Sequence, residues 1–158
     1  MADFEHRATR TVDQRPDLVH DRLLQLVARL RDELPPIEPG TQAATALGMS
    51  GKLDVEILDR GPSRIELRTT EGRIRGEGAV DLAPAGDQTN VAVSLAVKPQ
   101  GFAANLMLGV ALKTMPNLEQ QLIDGLEANL DSLAIELAKP NSEWDPSAWQ
   151  PVGLPGRA

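Results

Sequence analysis

The stretch that decides the fold runs from residue 53 to residue 97, LDVEILDRGPSRIELRTTEGRIRGEGAVDLAPAGDQTNVAVSLAV. Its apolar residues recur at every second position. Leu53, Val55 and Ile57 alternate with Lys52, Asp54 and Glu56, and Ile65, Leu67 and Thr69 alternate with Arg64, Glu66 and Arg68. Val91, Val93, Leu95 and Val97 alternate with Ala92, Ser94 and Ala96. A period of two puts one set on each side of a pleated strand. Ile74, Val80 and Leu82 share a face with Gly76 and Gly78, opposite Arg73, Arg75, Glu77, Ala79 and Asp81. Two glycines on the inner face of one strand predict a bend, a bulge or the close approach of another element. Turns fall at Arg60-Gly61-Pro62-Ser63, Glu71-Gly72 and Pro84-Ala85-Gly86-Asp87. Strands this close together join as hairpins, so the segment predicts an antiparallel meander with one wet face. A short further strand is expected at Ala44 to Met49, turning at Ser50-Gly51.

Upstream, Phe4, Ala8 and Val12 alternate with Glu5, Arg7, Thr9 and Thr11, which predicts a first strand carrying His6 and Arg10 on the face of Phe4 and Ala8. Pro16 and Asp17 open a helix, where a missing N–H and an acidic group suit the first turn. Its apolar stripe is Val19, Leu23, Leu26, Val27, Leu30 and Leu34, and Pro35-Pro36 ends it. Downstream, residues 102–138 predict the longest element. Its first part, FAANLMLGVALKTM, is almost wholly apolar but is too short to span a bilayer. Pro116 should kink or split the helix. Beyond it, Leu118, Leu122, Leu126, Leu130, Leu133 and Leu137 form a stripe that packs on the sheet, backed by Glu119, Asp124, Glu127 and Asp131. The predicted class is therefore α+β: a curved antiparallel sheet of about six strands wrapped around a long C-terminal helix, with one N-terminal helix after the first strand. The domain is expected to occupy residues 1–139. Residues 140–158, with four prolines and two glycines, read as an irregular tail that Trp144 and Trp149 pin to the body or to a partner.

Composition excludes several kinds of function. The chain has 158 residues, enough for one ordinary domain, and no cysteine. Thiolate zinc sites, iron–sulfur clusters and thiol nucleophiles are therefore absent. Two histidines do not make a typical zinc site, and no metal or other cofactor is expected. A net charge of −7 argues against nucleic acid and against an anionic membrane surface. With two Phe, two Trp and no Tyr, there is no stacking platform for bases or sugars. Residues 1–20 contain no apolar run of signal-peptide type, so a cytoplasmic location without stable membrane insertion is expected.

The order strand, helix, antiparallel meander and long C-terminal helix resembles the START-like, Bet v 1-like superfamily, also called SRPBCC, over about residues 4–138. Three places carry the resemblance. Val12-Asp13-Gln14-Arg15-Pro16-Asp17-Leu18-Val19 resembles the family's strand-to-helix junction, and Gly86-Asp87-Gln88-Thr89-Asn90-Val91 its Gly-x-x-Thr-x-Val turn before the last strand. Lys98-Pro99-Gln100-Gly101-Phe102 resembles the glycine junction into the final helix. Within the superfamily, the chain looks similar to the polyketide cyclase/dehydrase branch and to the branch of the carbon monoxide dehydrogenase G-subunit. The sequence departs from the family in having one long first helix and His20 near the usual place of an aromatic. The resemblance implies a helix-grip fold with an apolar cavity between sheet and C-terminal helix. It carries no catalytic set onto this sequence.

The cavity lining that this implies is Val55, Ile57, Ile65, Leu67, Ile74, Gly76, Gly78, Val93, Leu95, Phe102, Leu106, Val110, Leu118 and Leu122. The competing outcome is an ordinary solid core. His6, Arg10 and Asn105 are candidate polar groups for such a cavity, able to grip a carboxylate or carbonyl. Alternatively, His6 and Arg10 lie at the sheet rim paired with an acid. His20 reads as a satisfied boundary residue. Arg64, Arg68, Arg73 and Arg75 alternate with acids and read as cross-strand ion pairs rather than an anion site. The first functional expectation is non-catalytic binding or carriage of a hydrophobic, lipid-like or polycyclic small molecule. A polyketide cyclase or aromatase using the same cavity is the alternative. A third is an accessory protein that acts through a homodimer or a protein partner at the C-terminal tail.

Overall fold

The computed structural model describes residues 4–33, 36, 38–40, 50–52, 54–69, 74–99 and 118–150. The elements are β1 (Phe4–Val12), α1 (Pro16–Glu33), β2 (Val55–Asp59), β3 (Arg64–Thr69), β4 (Ile74–Ala85), β5 (Gln88–Pro99) and α2 (Leu118–Leu137), followed by a 3-10 turn at Asn141–Glu143. Five strands form one antiparallel sheet in the order β1-β5-β4-β3-β2, so the chain's first strand closes onto its last. The strand expected at residues 44–49 lies outside the described residues.

The alternation sets the register as expected. β2, β3, β4 and β5 follow one another as hairpins. The β4–β5 turn leaves two residues, Gly86 and Asp87, between the paired Ala85 and Gln88. Gly86 has φ 64, a left-handed conformation that glycine adopts without a Cβ clash. Gly76 and Gly78 make no bulge, because both stand in unbroken ladder with Val97 and Leu95.

Two of the segments that carry the family resemblance meet in space. The Thr89 hydroxyl, fully buried, donates to the Gln14 carbonyl at 2.7 Å. That bond ties the start of β5 to the β1–α1 junction, where a bare carbonyl would otherwise be buried.

The core is gathered at one end of the sheet. Val12, Val19, Leu23, Leu26, Ile65, Val80, Leu82, Val91, Leu137 and Trp149 form it, contributed by the sheet, α1, the last turn of α2 and the tail. Trp149 shows that the compositional boundary at residue 140 is not a packing boundary. Its indole Nε1 donates to Ser132 Oγ at 3.0 Å, and Arg29 donates to its carbonyl. Trp144 Nε1 donates to Gln25 Oε1 at 3.1 Å. In the described part of the tail, Trp149 is thus buried and Trp144 half-buried against the core.

Arg22, 1% exposed, fastens the same corner. Its guanidinium donates to the carbonyls of Leu137 and Lys139 at 2.9 and 2.5 Å and to Asn141 Oδ1 at 2.9 Å. These are carbonyls that α2 leaves unpaired where it ends, and a cation favours the negative end of the helix dipole. The guanidinium also lies 4.7 Å from the centre of the Trp144 ring. Among the described residues, no helix is long and apolar enough to cross a membrane.

Candidate functional site

The inner face of the sheet divides into two parts, visible as rows running across the strands. One row is Ala8, Val93, Val80, Ile65 and Asp59. Ala8, Val80 and Ile65 are buried there, at 6%, 5% and 0% exposure. The next row, two residues along each strand, is His6, Leu95, Gly78, Leu67 and Ile57, all of them half-buried. Beyond it lie Val97 and Gly76, which pair with each other, and Val55 and Thr69, which also pair; all four are half-buried. Among the described residues, the face is thus closed by the core at the α1 end and only half-buried toward the other end.

The expected lining residues fall on both sides of this division. Ile65 is enclosed in the core, and Ile57 and Val93 pack against it. Leu67, Gly76, Gly78, Leu95 and Val55 lie beyond it. Phe102, Asn105, Leu106 and Val110 lie outside the described residues, as do the side chains of Ile74, Leu118 and Leu122. A Cβ built on Gly78 would stand 3.7 Å from the Ser94 carbonyl oxygen and 3.8 Å from Leu67, and one on Gly76 would stand 3.6 Å from Thr69. Those are ordinary contact distances, so among the described residues a Cβ fits at either position.

His6 and Arg10 do point inward, and both are taken up by acids of α2. His6 Nε2 lies 3.1 Å from Glu127 Oε1. Arg10 donates to the other oxygen of Glu127 and, at 2.6 Å, to Asp131. The Arg10 guanidinium and then His6 hold the Glu127 carboxyl below its ordinary range. β1 is an edge strand, so this is rim pairing with acids. Glu127 and Asp131, read from the sequence as the solvent side of the helix, instead face β1. The available signal was the pair of basic residues on an otherwise apolar strand face, which need acidic partners when half-buried. Arg22 carried no comparable signal, because one arginine in an amphipathic stripe reads as surface.

The two histidines are not brought together. His20 Nε2 lies 3.1 Å from Asp59 Oδ1. The Gly61 N–H, and then His20, hold the Asp59 carboxyl below its usual range. On the outer face, a groove of about 380 Å³ has charged walls whose groups are paired. Arg64 meets its cross-strand partner Asp81 at 2.7 Å, and Arg68 meets Glu56 at 2.9 Å. Such walls suit water better than an apolar ligand. No cluster among the described residues is placed to hold a metal ion.

Solved structures share this architecture. The chain matches the di-domain ARO/CYC StfQ from the steffimycin biosynthetic pathway with a TM-score of 0.55, at 11% identity over 87% of this chain and 50% of that one. It matches the di-domain ARO/CYC BexL from the BE-7585A biosynthetic pathway with a TM-score of 0.51, at 16% identity over 92% and 52%. The fold is a helix grip. TTHA0849 from Thermus thermophilus is also similar, with a TM-score of 0.49 and 21% identity over 85% of this chain and 99% of that one. The chain spans about half the length of the two di-domain proteins. No protein family and no curated protein matches the sequence.

Proposed function

We propose that the open half of the inner face is the floor of a binding site for a hydrophobic small molecule, lipid-like or polycyclic, held between the sheet and the C-terminal helix. The observation that carries this is the row Leu95–Gly78–Leu67, apolar and half-buried, with its middle side chain missing. Pockets for small ligands are mostly apolar, with few polar groups. Removing apolar ligand surface from water contributes roughly 25 cal/mol per Å², before the cost of immobilising the ligand. Catalysis of the ARO/CYC kind in the same space is the second reading. It is supported by the fold shared with StfQ and BexL and by a histidine bonded to a carboxylate at the rim.

Gly78→Leu tests the site. The new Cβ would stand 3.7 Å from the Ser94 carbonyl oxygen and 3.8 Å from Leu67, ordinary contact distances, and the rest of the side chain would occupy the floor. Equilibrium dialysis with 2-methoxynaphthalene, and native mass spectrometry for any co-purifying adduct, should show binding in the parent protein and its loss in the variant. The melting temperature should hold or rise, since a glycine inside a strand costs roughly 0.5–1 kcal/mol relative to alanine. Equal binding by both proteins would overturn the assignment.

A further inference from the structure

The polar end of the proposed site is asymmetric in charge and in proton supply. Among the described residues, four groups meet there: His6 and Arg10 from β1, and Glu127 and Asp131 from α2. Arg10, the one permanent cation of this group among the described residues, is shared by two carboxylates, which leaves a third anion without a dedicated counter-charge there. Glu127 is ionised, and a carboxylate only accepts hydrogen bonds. Whenever its ring carries a single proton, His6 must therefore hold it on Nε2, toward Glu127. The other ring nitrogen, Nδ1, is then an acceptor, and it has no hydrogen-bond partner among the described residues. Nδ1 is bonded to Cγ, so it lies nearer the strand than Nε2. His6 pairs with Leu95, and Leu95 pairs with Gly78. His6 thus stands in the same cross-strand row as the apolar floor, about 10 Å across two strand spacings from the glycine gap.

We propose that His6 Nδ1 is the polar anchor of this site and that it selects neutral ligands carrying a hydroxyl donor, such as phenols, enols or alcohols on an apolar ring system, against the corresponding carboxylates. Glu127 is the positioning residue that fixes the ring's tautomer, and Arg10 holds Glu127. The selection has two physical parts. An O–H meets an acceptor that would otherwise be half-desolvated, whereas an ether oxygen meets it lone pair to lone pair. A ligand carboxylate meets that lone pair too, and it also approaches two carboxylates that share one guanidinium.

The inference rests on the binding reading, and three ligands with one bicyclic body separate the two. Equilibrium dialysis at neutral pH would compare 2-naphthol, 2-methoxynaphthalene and 2-naphthoate on the full chain. The expected result is that 2-naphthol binds roughly tenfold tighter than the methyl ether, the worth of one well-placed hydrogen bond, and that the carboxylate binds weakest. His6→Phe should erase the preference for the hydroxyl while keeping affinity for the ether. His6→Asn, whose amide oxygen can stand near the place of Nδ1, should restore part of the preference, which a purely steric role would not do. Equal binding of alcohol and ether by the parent protein would overturn the anchor and leave the site standing. Tightest binding of the carboxylate would also overturn the anchor. Binding of none of the three would overturn both.

Discussion

The two halves of the inner face are built from the same strands with the same alternation, yet among the described residues one is buried and the other only half-buried. Val80 and Gly78 are neighbours on one side of β4, separated only by Ala79. Val80 faces Ile65 and Val93 beneath the α1 and Leu137 side chains, while Gly78 faces Leu67 and Leu95 without a side chain of its own. Strand pattern therefore decides which face turns inward, and a separate set of residues decides whether that face is filled. At the closed end those residues are α1, the last turn of α2 and Trp149. At the open end a strand glycine and a polar pair, His6 with Glu127, stand where apolar groups would complete a core.

If the closed half is a true core, its lid should matter most. Trp149→Ala removes the largest lid side chain and the donor to Ser132, and should cost about 4 kcal/mol in urea unfolding. A cost near zero would mean that the tail is not part of the domain, and the contrast between halves would lose one wall. A matched pair comes next. Ile65→Ala, at a position of 0% exposure, should cost about 3 kcal/mol, and Leu95→Ala about 1 kcal/mol. Ligand affinity should follow the reverse order, with Leu95→Ala harming it more. Equal costs would show that Leu95 is as enclosed as Ile65, and the open half would not exist.

Much of the architecture is legible in the sequence because it depends on local rules. The period of two in 55–59, 64–69 and 74–97, the Gly86-Asp87 turn and the Pro16 start each act within a few residues, and each stands where expected, while the Glu71-Gly72 turn lies outside the described residues. The division of the sheet is not legible in this way. Ile65 and Leu67 are alike in sequence, both apolar and both inward, and only the distant α1 and Trp149 decide that one is sealed. The partners of His6 and Arg10 lie 117–121 residues away on a helix whose acids read equally well as a solvated face. The tail combines two signals: its prolines report on backbone regularity, whereas its tryptophans bear on burial. A sequence separates these two properties only when something says what the indoles can reach.

The smallest expected effect concerns the rim pair and depends on acid. Glu127 is held as a carboxylate by Arg10 and His6, so its folded-state value lies below the ordinary 4.5. A depressed carboxyl contributes stability that is fully present above the unfolded value and is lost as pH falls through the folded one. Glu127→Gln should therefore melt below the parent at neutral pH, and the gap should persist down to about pH 4.5 and close below it. Asp59 carries the same kind of shift in both proteins, so it cancels from the difference. The comparison needs only melting curves at several pH values. A gap that stayed constant from neutral to strongly acid conditions would mean that Glu127 acts through its shape rather than its charge. His6 would then have no fixed tautomer, and the open half would have no oriented acceptor at its edge.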